Sequence, residues 1–109
     1  MSTQAITLIN VLKVEPEHQA ELIDLLKQNI DNVISTLGGW RASRLIAAAD
    51  GRSVVIHSEW ETPAAVDAMR ADPRMQAYFP RIRALAQFES VAGGEVFSRR
   101  STARDTVSA

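Results

Sequence analysis

Apolar residues in the first stretch, Gln4 to Val14, fall on both parities of the chain. Ile6, Leu8, Leu12 and Val14 share one parity, and Ala5, Ile9 and Val11 share the other. Such a β-branched run predicts a strand covered on both faces. From Pro16 the period changes: Leu22, Leu25, Leu26, Ile30, Val33 and Leu37 recur at three- and four-residue spacing as far as Gly38-Gly39. That predicts one amphipathic helix, opened by proline and closed by glycine. Between Trp40 and Trp60 two β-type runs, RASRLIAAA and SVVIHSEW, flank Asp50-Gly51, a pair that tolerates the positive φ angles of a tight turn; they predict a β-hairpin. Thr62-Pro63 and Asp72-Pro73 each set an oxygen acceptor before a proline, so each predicts a helix start. Pro80 is expected to interrupt the second, leaving two short segments joined at a kink, with Met75, Phe79 and Ile82 on one face. A last strand is expected from Gln87 to Phe97, bent or bulged at Gly93-Gly94.

The order β-α-β-β-α-β predicts an α+β protein of ferredoxin-like pattern, one antiparallel sheet with helices on one face. Helices can cover only one face, yet the first strand is apolar on both. The second face therefore needs a partner, and face-to-face pairing of two sheets in a homodimer, a dimeric α+β barrel, is the simplest expectation. At 109 residues the chain has room for one domain, expected over residues 1–98, followed by a polar tail over residues 99–109 that lacks an apolar period and is expected to be disordered.

Composition narrows the chemistry. Twelve Lys and Arg against thirteen Asp and Glu give a net charge of -1 with no basic stripe, so nucleic acid is not an expected partner. No cysteine is present, and His18 and His57 are the two histidines, which removes thiolate nucleophiles and the usual zinc sites; no metal site is expected. The N-terminal apolar residues alternate with polar ones, and no run approaches membrane-spanning length, so no membrane partner and a cytoplasmic location are expected.

Strand parity singles out individual side chains. Asn10 interrupts the apolar face of Ile6, Leu8, Leu12 and Val14. A buried carboxamide without partners costs about 1–3 kcal/mol, so either an internal hydrogen bond or a ligand oxygen must use it. Trp60 is in phase with Val54, Ile56 and Ser58, and serves either as core filler or as the wall of a site. His57 and Glu59 point to the opposite face, where a structural or interfacial role is the expectation. Arg74 and Tyr78 lie one helical turn apart and can line one rim, holding a phenolate by charge and hydrogen bonding, or can simply be solvated.

These residues together resemble the antibiotic biosynthesis monooxygenase family over Ile6 to Phe97. The resemblance is carried by Glu15-Pro16-Glu17 at the helix start, Gly39-Trp40, the Asp50-Gly51 hairpin, Ser58-Glu59-Trp60-Glu61-Thr62, and Ala71 to Phe79. It implies a dimeric α+β barrel. Family members of aromatic polyketide pathways oxidise a polycyclic anthrone or phenol to a quinone with dioxygen, without a cofactor. Their pocket carries a tryptophan at the end of the third strand and asparagines on the first and third strands. The resemblance thus implies catalytic roles for Trp60 and Asn10, and substrate contact at Ile56, Met69, Arg74, Tyr78 and Phe79. Three departures stand out: Ile56 replaces the third-strand asparagine, Val66 replaces a tyrosine of some members, and Met69 and Arg74 stand where other branches carry histidine. A heme-degrading branch needs a tryptophan and an axial histidine where this chain has Met69 and Phe79, which disfavours heme degradation.

Glycine-rich phosphate loops and paired-carboxylate sites are absent from the sequence. An enzyme built from these parts must borrow reactivity from an electron-rich substrate. The expected activity is a cofactor-free monooxygenase whose partners are a small aromatic and dioxygen. Two rivals remain: a non-catalytic dimer that binds a small aromatic, and a cofactor-free isomerase or cyclase.

Overall fold

The structure is a computed structural model that describes residues 5–101. Strand β1 (Ile6–Val14) leads through a short 3-10 turn (Pro16–His18) into helix α1 (Gln19–Asn32). A second 3-10 turn (Ile34–Thr36) precedes the hairpin of β2 (Trp40–Ala47) and β3 (Ser53–Trp60). Helices α2 (Pro63–Ala71) and α3 (Pro73–Leu85) and strand β4 (Ala86–Gly93) follow. The sheet order is β2-β3-β1-β4, antiparallel throughout, which is the α+β, ferredoxin-like arrangement expected.

Local departures have local causes. The first helix closes at Asn32, short of the glycines. Val33 leaves helical geometry at φ -123°, and the Ser35 and Thr36 hydroxyls donate to the carbonyls of Asp31 and Val33, competing with the helical ladder. Pro80 does not break the helix after Asp72. Helix α3 runs through it to Leu85, with Pro80 itself exposed and its lost N–H removing one bond of the ladder. The last strand is shorter than expected. Its register with β1 is unbroken from Val14↔Ala86 to Thr7↔Gly93, so no bulge forms at Gly93-Gly94, and Val96 and Phe97 stand exposed beyond the strand. The irregular step lies in β2 instead, between Trp40 and Ala42. In the hairpin only Gly51 takes a positive φ (78°), while the Asp50 carboxylate accepts from the Arg52 N–H. Residues 99–101 have no regular structure, and the rest of the expected tail lies outside the described residues.

Both predicted caps form. The Thr62 hydroxyl accepts from the Ala65 N–H, and the Asp72 carboxylate accepts from the Arg74 N–H. Gly39 fixes how α2 sits on the hairpin: its φ is 84°, and a Cβ there would come within 2.5 Å of the Ala65 Cβ.

The helices cover one face of the sheet, and the core beneath them is split. Leu12, Leu22, Leu25, Leu26, Val54 and Ile82 form one cluster, and Leu8, Val33, Trp60, Val66, Met69 and Met75 form another. Members of both border a cavity that lies between them.

Candidate active site

The cavity has a volume of about 330 Å³, near the lower end of the range for small-molecule sites. Its floor is the covered face of the sheet, with Leu8, Asn10 and Leu12 from β1, Ser43 from β2, Ile56, Ser58 and Trp60 from β3, and Phe88 and Ser90 from β4. Helices α1, α2 and α3 close it with Leu26 and Asn29, Met69 and Arg70, and Met75, Gln76, Phe79, Ile82 and Arg83.

Strand register explains why Asn10 is central. On the covered face it stands directly between Ile56 on β3 and Ser90 on β4. The Ser90 hydroxyl donates to Asn10 Oδ1, so the acceptor of the amide is occupied. The Asn10 NH₂ has no protein acceptor among the described residues and remains a donor on the cavity wall. Ile56 contributes an apolar neighbour on the other flank, so the polar partner of Asn10 comes from β4.

Trp60 is 1% exposed and does two things at once. Its ring fills the second core cluster and borders the cavity, while its Nε1 donates to the Ser58 hydroxyl at 3.2 Å. Ser58 in turn donates to the Leu8 carbonyl at 3.3 Å, which satisfies the buried polar atoms of this corner inside the protein. The Trp60 N–H is therefore engaged inside the protein and is not free for a guest.

The wall gathers five of the seven residues singled out in the sequence: Asn10, Ile56, Trp60, Met69 and Phe79. Arg74 and Tyr78 lie outside it. The Arg74 guanidinium pairs with Asp72 at 3.2 Å on the surface, and that hydrogen bond holds the Asp72 carboxyl below the usual carboxylate range. Tyr78 packs against both core clusters with the Arg81 guanidinium over its ring. Arg83 takes the place expected of Arg74: exposed itself, it borders the cavity with its guanidinium 5.6 Å from the Phe79 ring centre and 5.7 Å from that of Phe88. Arg70 is the second cation on the wall. Both titratable groups of the wall are thus positive, and they favour an anionic guest.

Several polar residues of the wall escaped the sequence, among them Asn29, Ser90, Arg70 and Arg83. Asn29 shows itself only as a gap in the apolar stripe Leu22, Leu25/Leu26, Val33, a signal that the leucine spacing alone conceals. Ser90 and Arg83 carry no periodic signal, since alternating polar residues on a terminal strand and exposed arginines on a helix are ordinary surface features. His57 and Glu59 point to the uncovered face, as parity predicts, with His57 beside Ile9 and Arg44 in the register. Among the described residues no group of three His, Asp or Glu side chains comes together to hold a metal, and no helix is long and apolar enough to cross a membrane.

The sequence profile of the antibiotic biosynthesis monooxygenase family matches residues 5–81. The chain belongs to that family. It is 36% identical over 86 residues to the tetracenomycin-F1 monooxygenase of Streptomyces glaucescens, covering 79% of this chain and 77% of that enzyme. Two solved structures share the fold of this family member. One is a monooxygenase from the gene ActVA-Orf6 of Streptomyces coelicolor, in complex with nanaomycin D, with a TM-score of 0.81, 20% identity, and coverage of 91% of this chain and 94% of the other. The other is SnoaB, a cofactor-independent oxygenase from Streptomyces nogalater, with a TM-score of 0.75, 21% identity, and coverage of 92% and 97%.

Proposed function

We propose that the protein is a cofactor-independent monooxygenase that oxidises a polycyclic anthrone or hydroquinone to a quinone with dioxygen. The observation that carries this reading is the Asn10 amide donor, oriented by Ser90 on the wall of an aromatic-lined cavity whose charged groups are both arginines. Trp60, Phe79 and Phe88 line the cavity and supply aromatic surface for a flat polycycle. As the substrate ionises, Arg83, Arg70 and the Asn10 NH₂ stabilise the negative oxygen more than the neutral one, which lowers the barrier to forming the anion. The carbanion, or the phenolate through its electron-rich ring carbon, then passes one electron to dioxygen, the two radicals combine at that carbon into a peroxide anion, and the anion takes up a proton to give the hydroperoxide. For an anthrone, loss of water from that hydroperoxide leaves the quinone, so one oxygen atom enters the product and the other leaves as water. The apolar wall excludes bulk water from the radical pair. No carboxylate or histidine of the described residues borders the cavity, so the departing proton goes to solvent or to a second oxygen of the substrate.

The reading includes a homodimer formed through the uncovered face of the sheet. The family and the tetracenomycin-F1 relative support the reaction class, while Ile56 favours a second reading, a protein that binds an aromatic intermediate without oxidising it. Oxygen uptake with a panel of anthrones in metal-free buffer tests the choice. Stoichiometric uptake with quinone formation above the uncatalysed rate is the expected result; tight binding without uptake across the panel overturns the oxygenase reading in favour of the second.

A further inference from the structure

Asn29 is 3% exposed, on the buried stripe of α1 between Leu26 and Val33. Among the described residues its side chain has one partner, the thioether sulfur of Met75 at 3.3 Å from Nδ2. A thioether is a weak acceptor, and Oδ1 has no protein donor among the described residues; since none of their side-chain oxygens is both fully enclosed and unpartnered, Oδ1 keeps access to the solvent of the cavity. A carboxamide on an apolar stripe is satisfied only while water reaches it, so a guest that displaces that water must supply a partner or leave the amide unsatisfied. The side chain is turned to the cavity, whose wall it forms together with Leu26, Met75 and Ile82. Asn10 breaks the apolar stripe of β1 in the same manner, but its oxygen is already engaged by Ser90. The two amides consequently differ in what they offer: Asn10 presents a donor near exposed Ser90 and Arg83, and Asn29 presents an acceptor at the buried end.

We propose that Asn29 is a specificity-determining residue, accepting a hydrogen bond through Oδ1 from a hydroxyl on the leading ring of the bound polycycle. This deepens the function proposed above and rests on its assignment of the cavity to an aromatic guest. The preferred ligand carries a hydroxyl at the ring end that enters first and an oxygen anion toward the mouth. A ligand lacking that hydroxyl leaves the amide unsatisfied and is discriminated against, because a buried polar group without a partner is costlier than one replaced by an apolar group.

The test uses two unreactive probes, anthraquinone and a monohydroxy anthraquinone with its hydroxyl at the ring end, titrated by tryptophan fluorescence quenching in mildly acidic buffer that keeps the phenol neutral. The full-length protein is expected to bind the hydroxylated probe about tenfold more tightly, the worth of one neutral hydrogen bond. Asn29→Ala, which cannot occlude the cavity and favours the helix, is expected to bring the two affinities within about twofold while anthraquinone binds no more weakly. Asn29→Leu should keep the fold and raise the melting temperature. An unchanged preference in Asn29→Ala, an equal loss for both probes, or no preference in the unaltered protein overturns the proposal. Failure of both probes to bind the unaltered protein overturns it together with the aromatic-site assignment beneath it. Preference without oxygen uptake on any anthrone leaves Asn29 in its role and removes only the oxygenase.

Discussion

On the helix-covered face of the sheet Leu8, Leu12, Val54 and Trp60 are at most 2% exposed, whereas on the other face Ile46 and Val91 stand 46% and 67% exposed. The same strands supply both faces. In register, the uncovered side presents Ile9 beside His57 and Val91, and Val11 beside Val55 and Glu89, with Ile46 next to Val55. That is a β-branched patch edged by charge, with no helix to bury it. On the covered side the two apolar clusters do not merge and leave the cavity between them. The core there is tightly buried on either side of the cavity, and the cavity is the gap that the proposed guest fills.

Substitutions on the two faces should therefore fail differently. The largest effect is expected for Trp60→Ala, which removes both core and wall: chemical denaturation should register a loss of about 3–5 kcal/mol, and a loss below ~1 kcal/mol would mean that the two clusters can merge across the gap. Asn10→Ala should leave the melting temperature nearly unchanged and lower turnover roughly a hundred- to thousandfold, the range for one donor aimed at a developing oxyanion. Ser90→Ala acts through Asn10 and should lower kcat by about tenfold with KM little altered; a change confined to KM would show Ser90 touching substrate directly. On the bare face, Val55→Asp should convert a dimer to a monomer in light scattering while the affinity of the cavity for aromatic probes stays within about twofold. A monomeric mass for the unaltered protein would remove the sheet-to-sheet dimer.

The smallest effect concerns the start of α3, outside both faces. The Arg74 hydrogen bond lowers the Asp72 carboxyl in the folded protein, so in acid the unfolded chain binds this proton more readily. The stabilisation is present above the ordinary aspartate pKa of about 3.9 and is lost as pH falls through the lower folded value. Asp72→Asn should flatten that part of a melting-temperature profile in acid and leave the neutral range almost unchanged.

The order of elements, the two helix caps, the hairpin and the two-sided character of β1 are legible in the sequence because period, proline and glycine act on φ and ψ within a few residues. Parity also put Asn10, Ile56 and Trp60 on one face before any coordinates. Neither parity nor period says how far a helix is rotated about its axis or how high it sits over the sheet. Arg74 and Arg83 are equally plausible on paper; the pose of α3 turns Arg83 to the cavity with Phe79 and Phe88 and leaves Arg74 on Asp72. The same holds for Ser90, which meets Asn10 only through a pairing of strands 80 positions apart, and for Asn29, whose meeting with Met75 depends on how α1 and α3 cross. Local backbone preferences act over a few residues and are written in neighbouring letters; convergence of polar side chains around a void is set by long-range packing, and that the tertiary structure alone decided.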